Sequence, residues 1–239
     1  MVFVDDISLY RIAPEIPEAE EPNSDGLVAY YAMENNVQDG SGNGHNGTII
    51  GAPTYVQGPD GYGMAMEFNG TEDCVDLGTH SPFDPAGSFS ISVWAYIKNW
   101  STDWNHVMVG NRGESGIGWQ LRRPNSDKIC FTTRDVGVDD MSSEVDAPLF
   151  EWVHIGCVYD SETNTKRIYV DGVLDSEADT SEEENNVIAP TTHNVYIGAR
   201  ANSSNNSQEA FFTGMIDEVR IYNRALSYGE VIFLADPTP

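Results

Sequence analysis

The sequence predicts an all-β fold, an antiparallel two-sheet sandwich with one short helix at its C-terminal end. Three observations predict it. Apolar runs of strand length recur along the chain, separated by clusters of Gly, Asn, Asp and Ser. Several of these runs alternate or carry apolar residues on both faces, as strands inside a two-layer sandwich do. Only one stretch, near the end, carries helix signals. The 239 residues suit a single large β domain.

Residues 2–12 (VFVDDISLYRI) read as a strand with no nearby partner, either the tail of a preceding domain or an extra edge strand. Residues 13–25 read as an acidic, Pro-rich linker, with three prolines, four glutamates and no aromatic residue. The sandwich is expected over 26–235, and 236–239, with Pro237 and Pro239, as the start of another linker. Residues 27–33 form the first core strand, and 35–47 a loop dense in Gly, Asn and Asp. Short strands follow at 47–51, 64–68 and 74–77, with Asn69-Gly70 as a hairpin turn. In residues 89–96, Phe89, Ile91, Val93 and Ala95 alternate with Ser90, Ser92, Trp94 and Tyr96. Strands are read around 107–109, 119–122, 129–132, 152–159, 166–170 and 195–199, and Asp171-Gly172 as a turn. Residues 175–192, with Glu182, Glu183 and Glu184, read as a solvated loop.

The closing strand runs from Met215 to Tyr222. Val219 and Ile221 fall on one face, Glu218, Arg220 and Tyr222 on the other. Ser227 then caps a helix, with Glu230 three residues on as its capping-box partner and Val231, Ile232 and Leu234 as the apolar side. Pro237 stops it.

The charge is lopsided: 12 Lys and Arg against 38 Asp and Glu, a net −26. Such a field repels nucleic acid and anionic lipid and favours cations. No apolar run approaches the roughly 20 residues that cross a bilayer. Met1 is followed by Val2-Phe3-Val4-Asp5-Asp6, without the basic start of a secretory signal, so the chain reads as a piece of a longer exported protein. Cys74, Cys130 and Cys157 read as buried thiols, with a Cys130–Cys157 bridge left open.

Asp39-x-Ser41-x-Asn43-Gly44 sets oxygen side chains at alternate positions and a glycine at the sixth, like the first half of a calcium loop. Ile50 stands where the bidentate Glu of an EF-hand belongs, so a remote carboxylate must complete the cage, and Asp217 is the natural donor. The expected Ca²⁺ donors are Asp39, Asn43, the backbone carbonyl of His45, and Asp217, with Glu34 as a further one. The alternative is a Gly-rich turn capped by Asp217 through backbone N–H groups.

Arg112, Arg122, Arg123, Lys128 and Arg134 crowd one window of an otherwise acidic chain. Arg122 and Arg134 are the candidates to receive an acidic glycan by bidentate contacts. The alternative is strand exteriors paired to nearby Asp and Glu. Trp94, Trp119 and Trp152 read as core, whereas Trp100 and Trp104 lie in a polar loop and are candidates for a sugar platform. His154 reads as a satisfied sheet residue.

The motif GMIDEVRIYNRALS at 214–227 resembles the closing signature of laminin G-like, concanavalin A-like jelly-roll domains of extracellular proteins. Gly26–Tyr31, Asp39–Thr48, Ser88–Tyr96, Trp152–Ile155 and Tyr169–Gly172 match in the expected order, so the resemblance covers residues 26–235. It implies a jelly-roll sandwich, and a calcium held between the first long loop and the last strand. Glucanase relatives carry Glu-x-Asp-x-x-Glu on one strand; this chain has no such triplet, and catalysis is not expected. The expected function is a non-catalytic, calcium-stabilised, monomeric module, extracellular or at the cell surface, that binds a polysaccharide or glycan. A protein-binding or adhesion module and a structural spacer are the alternatives.

Overall fold

The computed structural model describes residues 15–79, 81–98, 106–111, 117–124, 126–181, 187–188, 190–202, 204–205 and 207–236. The strand read at 2–12 lies outside the described residues. In chain order the elements are β1 (Leu27–Tyr31), β2 (Thr48–Ile50), β3 (Thr54–Gln57), β4 (Met64–Asn69), β5 (Cys74–Asp76), β6 (Phe89–Ile97) and β7 (His106–Gly110). They continue with β8 (Trp119–Arg123), β9 (Lys128–Thr133), β10 (Asp140–Asp146), β11 (Trp152–Asp160), β12 (Thr165–Val170) and β13 (Val173–Asp179). Last come β14 (Tyr196–Ile197), β15 (Arg200–Ala201), β16 (Gln208–Glu209), β17 (Thr213–Tyr222) and the helix α1 (Tyr228–Ala235).

Two antiparallel sheets carry the fold, as the alternating runs predict. One is ordered β13-β12-β11-β6-β17-β4-β3, with β1 also paired to β17; the other is β10-β9-β8-β7-β14-β5-β2. Their inner faces meet in one core. Val93, Ile155, Ile216 and Val219 come from the first sheet, Val75, Trp119, Leu121 and Phe131 from the second. Each such buried side chain contributes about 1.5–3 kcal/mol by leaving water. The three cysteines are buried free thiols.

α1 lies against the outer face of the first sheet, where Val231 and Leu234 pack with Val158, Tyr169 and Tyr222. Its start forms as predicted: Ser227 Oγ accepts from the Glu230 amide, and a Glu230 carboxylate oxygen accepts from the Ser227 amide. Such a cap is worth about 1 kcal/mol. Arg224 adds two parallel bonds to the Glu230 carboxylate, at 2.8 and 2.7 Å. Ser90 Oγ ties the entry to α1 by donating to Arg224 O and accepting from the Leu226 amide.

The acidic stretch read as a linker is fastened to the domain over its described residues. The Glu20 amide donates to Gly229 O at 2.9 Å, and Arg224 Nε to Asp25 O at 2.7 Å.

Candidate ligand face and cation site

β17 is the central strand of the first sheet, and its pairing is broken at one point. On one side, β4 pairs with its first half through Ile216, and β1 with its second half from Val219 on. On the other side the register with β6 jumps from Asp217 to Arg220. Glu218 and Val219 fall in this gap, and Asp217 borders it opposite Trp94. Glu218 takes a positive φ of 52°, and the bulge turns both side chains to the outer face. Sequence alternation places them on opposite faces, and the bulge overturns that.

The two carboxylates then differ sharply. Glu218 accepts from Tyr30 Oη at 2.8 and 3.0 Å and pairs with Arg220 at 2.6 Å. The Arg220 guanidinium sits 4.1 Å over the Tyr30 ring. Asp217 is fully buried. Its Oδ1 accepts from the Glu218 amide at 2.8 Å, and its Oδ2 has no hydrogen-bond partner. Burial pushes the Asp217 carboxyl up to about 8, with the charges of Glu218 and Glu34 adding to it. Two glycines leave the space beside these groups. A Cβ on Gly58 would lie 2.7 Å from Asp217 Oδ2, and one on Gly63 would lie 2.0 Å from Glu34 Oε1.

The loop donors expected from the sequence are engaged elsewhere. Asp39 Oδ1 accepts from the Tyr30 and Ser41 amides at 3.1 and 2.9 Å, and Oδ2 from the His45 amide at 3.0 Å. Burial would raise the Asp39 carboxyl, but these bonds, those from Ser41 foremost, hold it below its ordinary value. Asn43 Nδ2 donates to Leu27 O and Val28 O, and the His45 carbonyl accepts from Tyr31 Oη. Asp39 thus caps its own Gly-rich loop, the role the sequence reading considered for Asp217. Among the described residues no three His, Cys, Asp or Glu side chains gather into a metal cluster. The carboxylates whose charges act on Asp217 are Glu218, which is paired to Arg220, and Glu34, whose Oε1 accepts from the Met64 amide at 3.0 Å.

A row of side chains crosses four strands of the same outer face. Glu67 on β4 stands opposite Met215 on β17, Met215 opposite Tyr96 on β6, and Tyr96 opposite Trp152 on β11. The Tyr96 and Trp152 rings meet edge to face with centroids 5.7 Å apart, and both are half-buried. Lys98 Nζ lies 5.8 Å over Tyr96 and 2.6 Å from Glu67. One register further in, Trp94 stands between Asp217 and His154, stacks near Tyr62, and donates to Leu234 O. Trp119 is core as read, fully buried with Nε1 donating to Phe83 O. Trp94 and Trp152 are not, because they sit on the outward register of their strands. The alternation of β6, with Val93 and Ala95 inward, already carried that signal for Trp94 and Tyr96.

Among its described residues the basic window forms no open anion site. Arg122 is 9% exposed and lies 3.5 Å from Asp140. Arg134 pairs with Asp139 and approaches the same Asp140 at 3.9 Å. Arg123 pairs with Asp127, and Lys128 with Asp146. The described members of the window are thus ion-paired, and two of them, Arg122 and Arg123, are buried in β8. Trp100, Trp104 and Arg112 lie outside the described residues.

Ser92 Oγ and His154 Nε2 are 2.8 Å apart, but both are buried, and His154 Nδ1 has no partner to orient it. Burial, then the Arg220 charge, pushes His154 down to about 3, so it stays neutral at physiological pH. This pair braces β6 against β11 and meets no solvent.

A family model described as the concanavalin A-like lectin/glucanases superfamily, of laminin G-like type, matches residues 69–232. The chain belongs to that superfamily. Among solved structures, this superfamily member is similar to domain 4 of AbnA, a GH43 extracellular arabinanase from Geobacillus stearothermophilus, in complex with arabinotriose. The identity is 21% and the TM-score 0.65, over 88% of this chain and 98% of that one. It is also similar to the binding domain of Paraclostridial Mosquitocidal Protein 1, at 18% identity and TM-score 0.69, and to the botulinum neurotoxin serotype C1 binding domain, at 15% and 0.64. Each of these covers 89% of this chain and 52% of that one, so the chain spans about half the length of the toxin binding domains. At these identities the likeness is one of fold. Comparison with curated protein sequences finds no match. No described helix is long and apolar enough to cross a membrane.

Proposed function

We propose that the chain is a non-catalytic glycan-binding module, extracellular or at the cell surface, stabilised by a calcium ion. The observation that carries the glycan reading is the half-exposed Trp152–Tyr96 pair beside Lys98 and Glu67. A sugar presents a C–H face to a flat ring and hydroxyls to neighbouring polar groups, and this row offers both. The arabinanase domain of the same fold, in complex with arabinotriose, supports the reading. The non-catalytic reading rests on the seclusion of Ser92 and His154, and on Asp217 and Glu218 being adjacent in a covered bulge rather than spaced across a cleft.

Calcium fits the second site by the chemistry of its donors. Asp217 Oδ2 is a buried, unpartnered oxygen with Glu34 nearby and glycines beside both. A hard cation there would be held by Asp217 and Glu34 together with backbone oxygens. It would offset the charge that burial otherwise opposes, and join the loop after β1 to β17. In this reading the loop residues Asp39, Asn43 and His45 support the site from behind as structural residues.

A binding screen against polysaccharides tests the glycan reading. Retardation lost in Trp152→Ala supports it. Retention by no polysaccharide turns the assignment to a protein partner or a spacer. Melting in calcium and in chelator tests the metal, and identical melts overturn it.

A further inference from the structure

We propose that the ligand of the Trp152–Tyr96 row is an uncharged glycan, and that anionic polysaccharides are rejected. This rests on the glycan reading above and concerns the same row. The pairing of the described charged side chains carries it. The chain has 12 Lys and Arg, of which Arg11 and Arg112 lie outside the described residues. Of the other ten, nine hold a carboxylate within 3.5 Å. The tenth, Lys166, is buried, and its Nζ donates to Thr133 Oγ1, Val138 O and Asp139 O at 2.9, 3.0 and 3.1 Å. No described cation is left without an oxygen partner.

The cation at the row shows what this means for recognition. Lys98 Nζ is 2.6 Å from Glu67 Oε1, and both side chains are about one-third exposed, at 33% and 36%. A neutral sugar hydroxyl donates and accepts, so one hydroxyl can accept from Lys98 while another donates to Glu67, with the ion pair intact. A uronate or sulfate that accepts from Lys98 lies beside the Glu67 carboxylate, a like charge at contact distance that a neutral hydroxyl does not meet. Anionic recognition elsewhere uses unpaired guanidinium forks, and the described guanidinium groups here are each paired with Asp or Glu. At longer range a net −26 repels a polyanion over the first Debye length, about 8 Å at physiological salt. Contacts and field therefore select in the same direction.

The test is affinity electrophoresis of the purified chain in gels containing neutral polymers (an arabinan, a β-glucan, a mannan) or anionic ones (polygalacturonate, heparin), at low and high salt. The expected result is retardation by a neutral polymer that salt leaves unchanged, and free migration in both anionic gels. Trp152→Ala is expected to weaken the neutral interaction by roughly tenfold or more, and Trp152→Phe, which keeps a ring, by less. Glu67→Gln frees Lys98 and is expected to gain a salt-sensitive retardation by polygalacturonate. Retardation of the unmodified chain by an anionic polymer, fading with salt, overturns the neutral assignment and leaves the glycan reading standing. No gain in Glu67→Gln overturns the role given to the ion pair. No retardation in any gel overturns the glycan reading and this inference with it.

Discussion

Asp217 and Glu218 are neighbours in sequence yet turn to the same face of β17, and of the two Glu218 is the one ion-paired to Arg220. This asymmetry gives the metal-free protein a pH signature. The folded Asp217 carboxyl, raised to about 8 by burial and then by Glu218, holds its proton more tightly than the unfolded one at about 3.8. Stability from this group is complete below the unfolded value and is lost as pH rises toward 8. His154 works the other way. Lowered to about 3 by burial and then by Arg220, it adds stability that is present above 6.5 and lost as pH falls toward 3. The two oppose each other between about 4 and 6.5, so a plateau is expected there, with a fall between 6.5 and 8. Thermal melts in chelator across this range check it. Asp217→Asn should remove the alkaline fall, a gain at pH 8 of roughly 1–2 kcal/mol or about 2–8 °C in Tm. An unmodified protein with no alkaline fall would count against the buried carboxyl.

Calcium should reverse that ranking. With the ion present, the unmodified protein should melt above Asp217→Asn, since the neutral amide lacks the charge a hard cation needs. Gly58→Ala makes a second probe. Its Cβ would lie 2.7 Å from Asp217 Oδ2 and occupy the space the cation needs. The expected outcome is a folded protein whose Tm no longer responds to calcium, measured by differential scanning fluorimetry. A full calcium response in this variant would move the ion elsewhere.

The tryptophans should separate by role. Trp119→Ala empties a fully buried site and should cost about 3–5 kcal/mol of stability. Trp152→Ala, on the half-buried outer row, should cost at most about 1–2 kcal/mol, with its main effect on ligand affinity. Denaturant melts of the two variants give the comparison directly.

Arg122 and Arg134 converge on Asp140. Removing both leaves that carboxylate without either guanidinium, and a loss of about 1–2 kcal/mol is expected. Polysaccharide retention should not change. A loss of retention with an unchanged melt would return the basic window to the binding surface.

Much of the sandwich was legible because a half-buried strand has a period of two. Phe89, Ile91, Val93 and Ala95 announced the inward face of β6, and Ser227 with Glu230 announced the start of α1. The candidate site was legible only in part, for three separate reasons. A bulge has no period, so the left-handed Glu218 that turns both carboxylates outward left no mark in the alternation. An arginine in a sequence does not name its partner, so Arg122 and Arg134 looked available until Asp139 and Asp140 were placed beside them. In a strand covered on both sides, Trp152 and Val153 are equally apolar, and only the register with Tyr96 tells which points outward. The Asp39 loop forms the tight turn that its Gly, Asn and Asp content predicts, with the Asp39 oxygens accepting backbone amides.

The pairing of the first strand with the last also has a mechanical consequence. Leu27 lies opposite Tyr222, the Asn223 amide donates to Gly26 O at 2.9 Å, and Arg224 holds Asp25 O. The backbone therefore enters and leaves the sandwich at one place. Tension between residues 15 and 236 meets α1 and its bond to Glu20 first, then the rungs between β1 and β17 one after another. Load arrives as peeling rather than shear, so the domain yields in steps from this end.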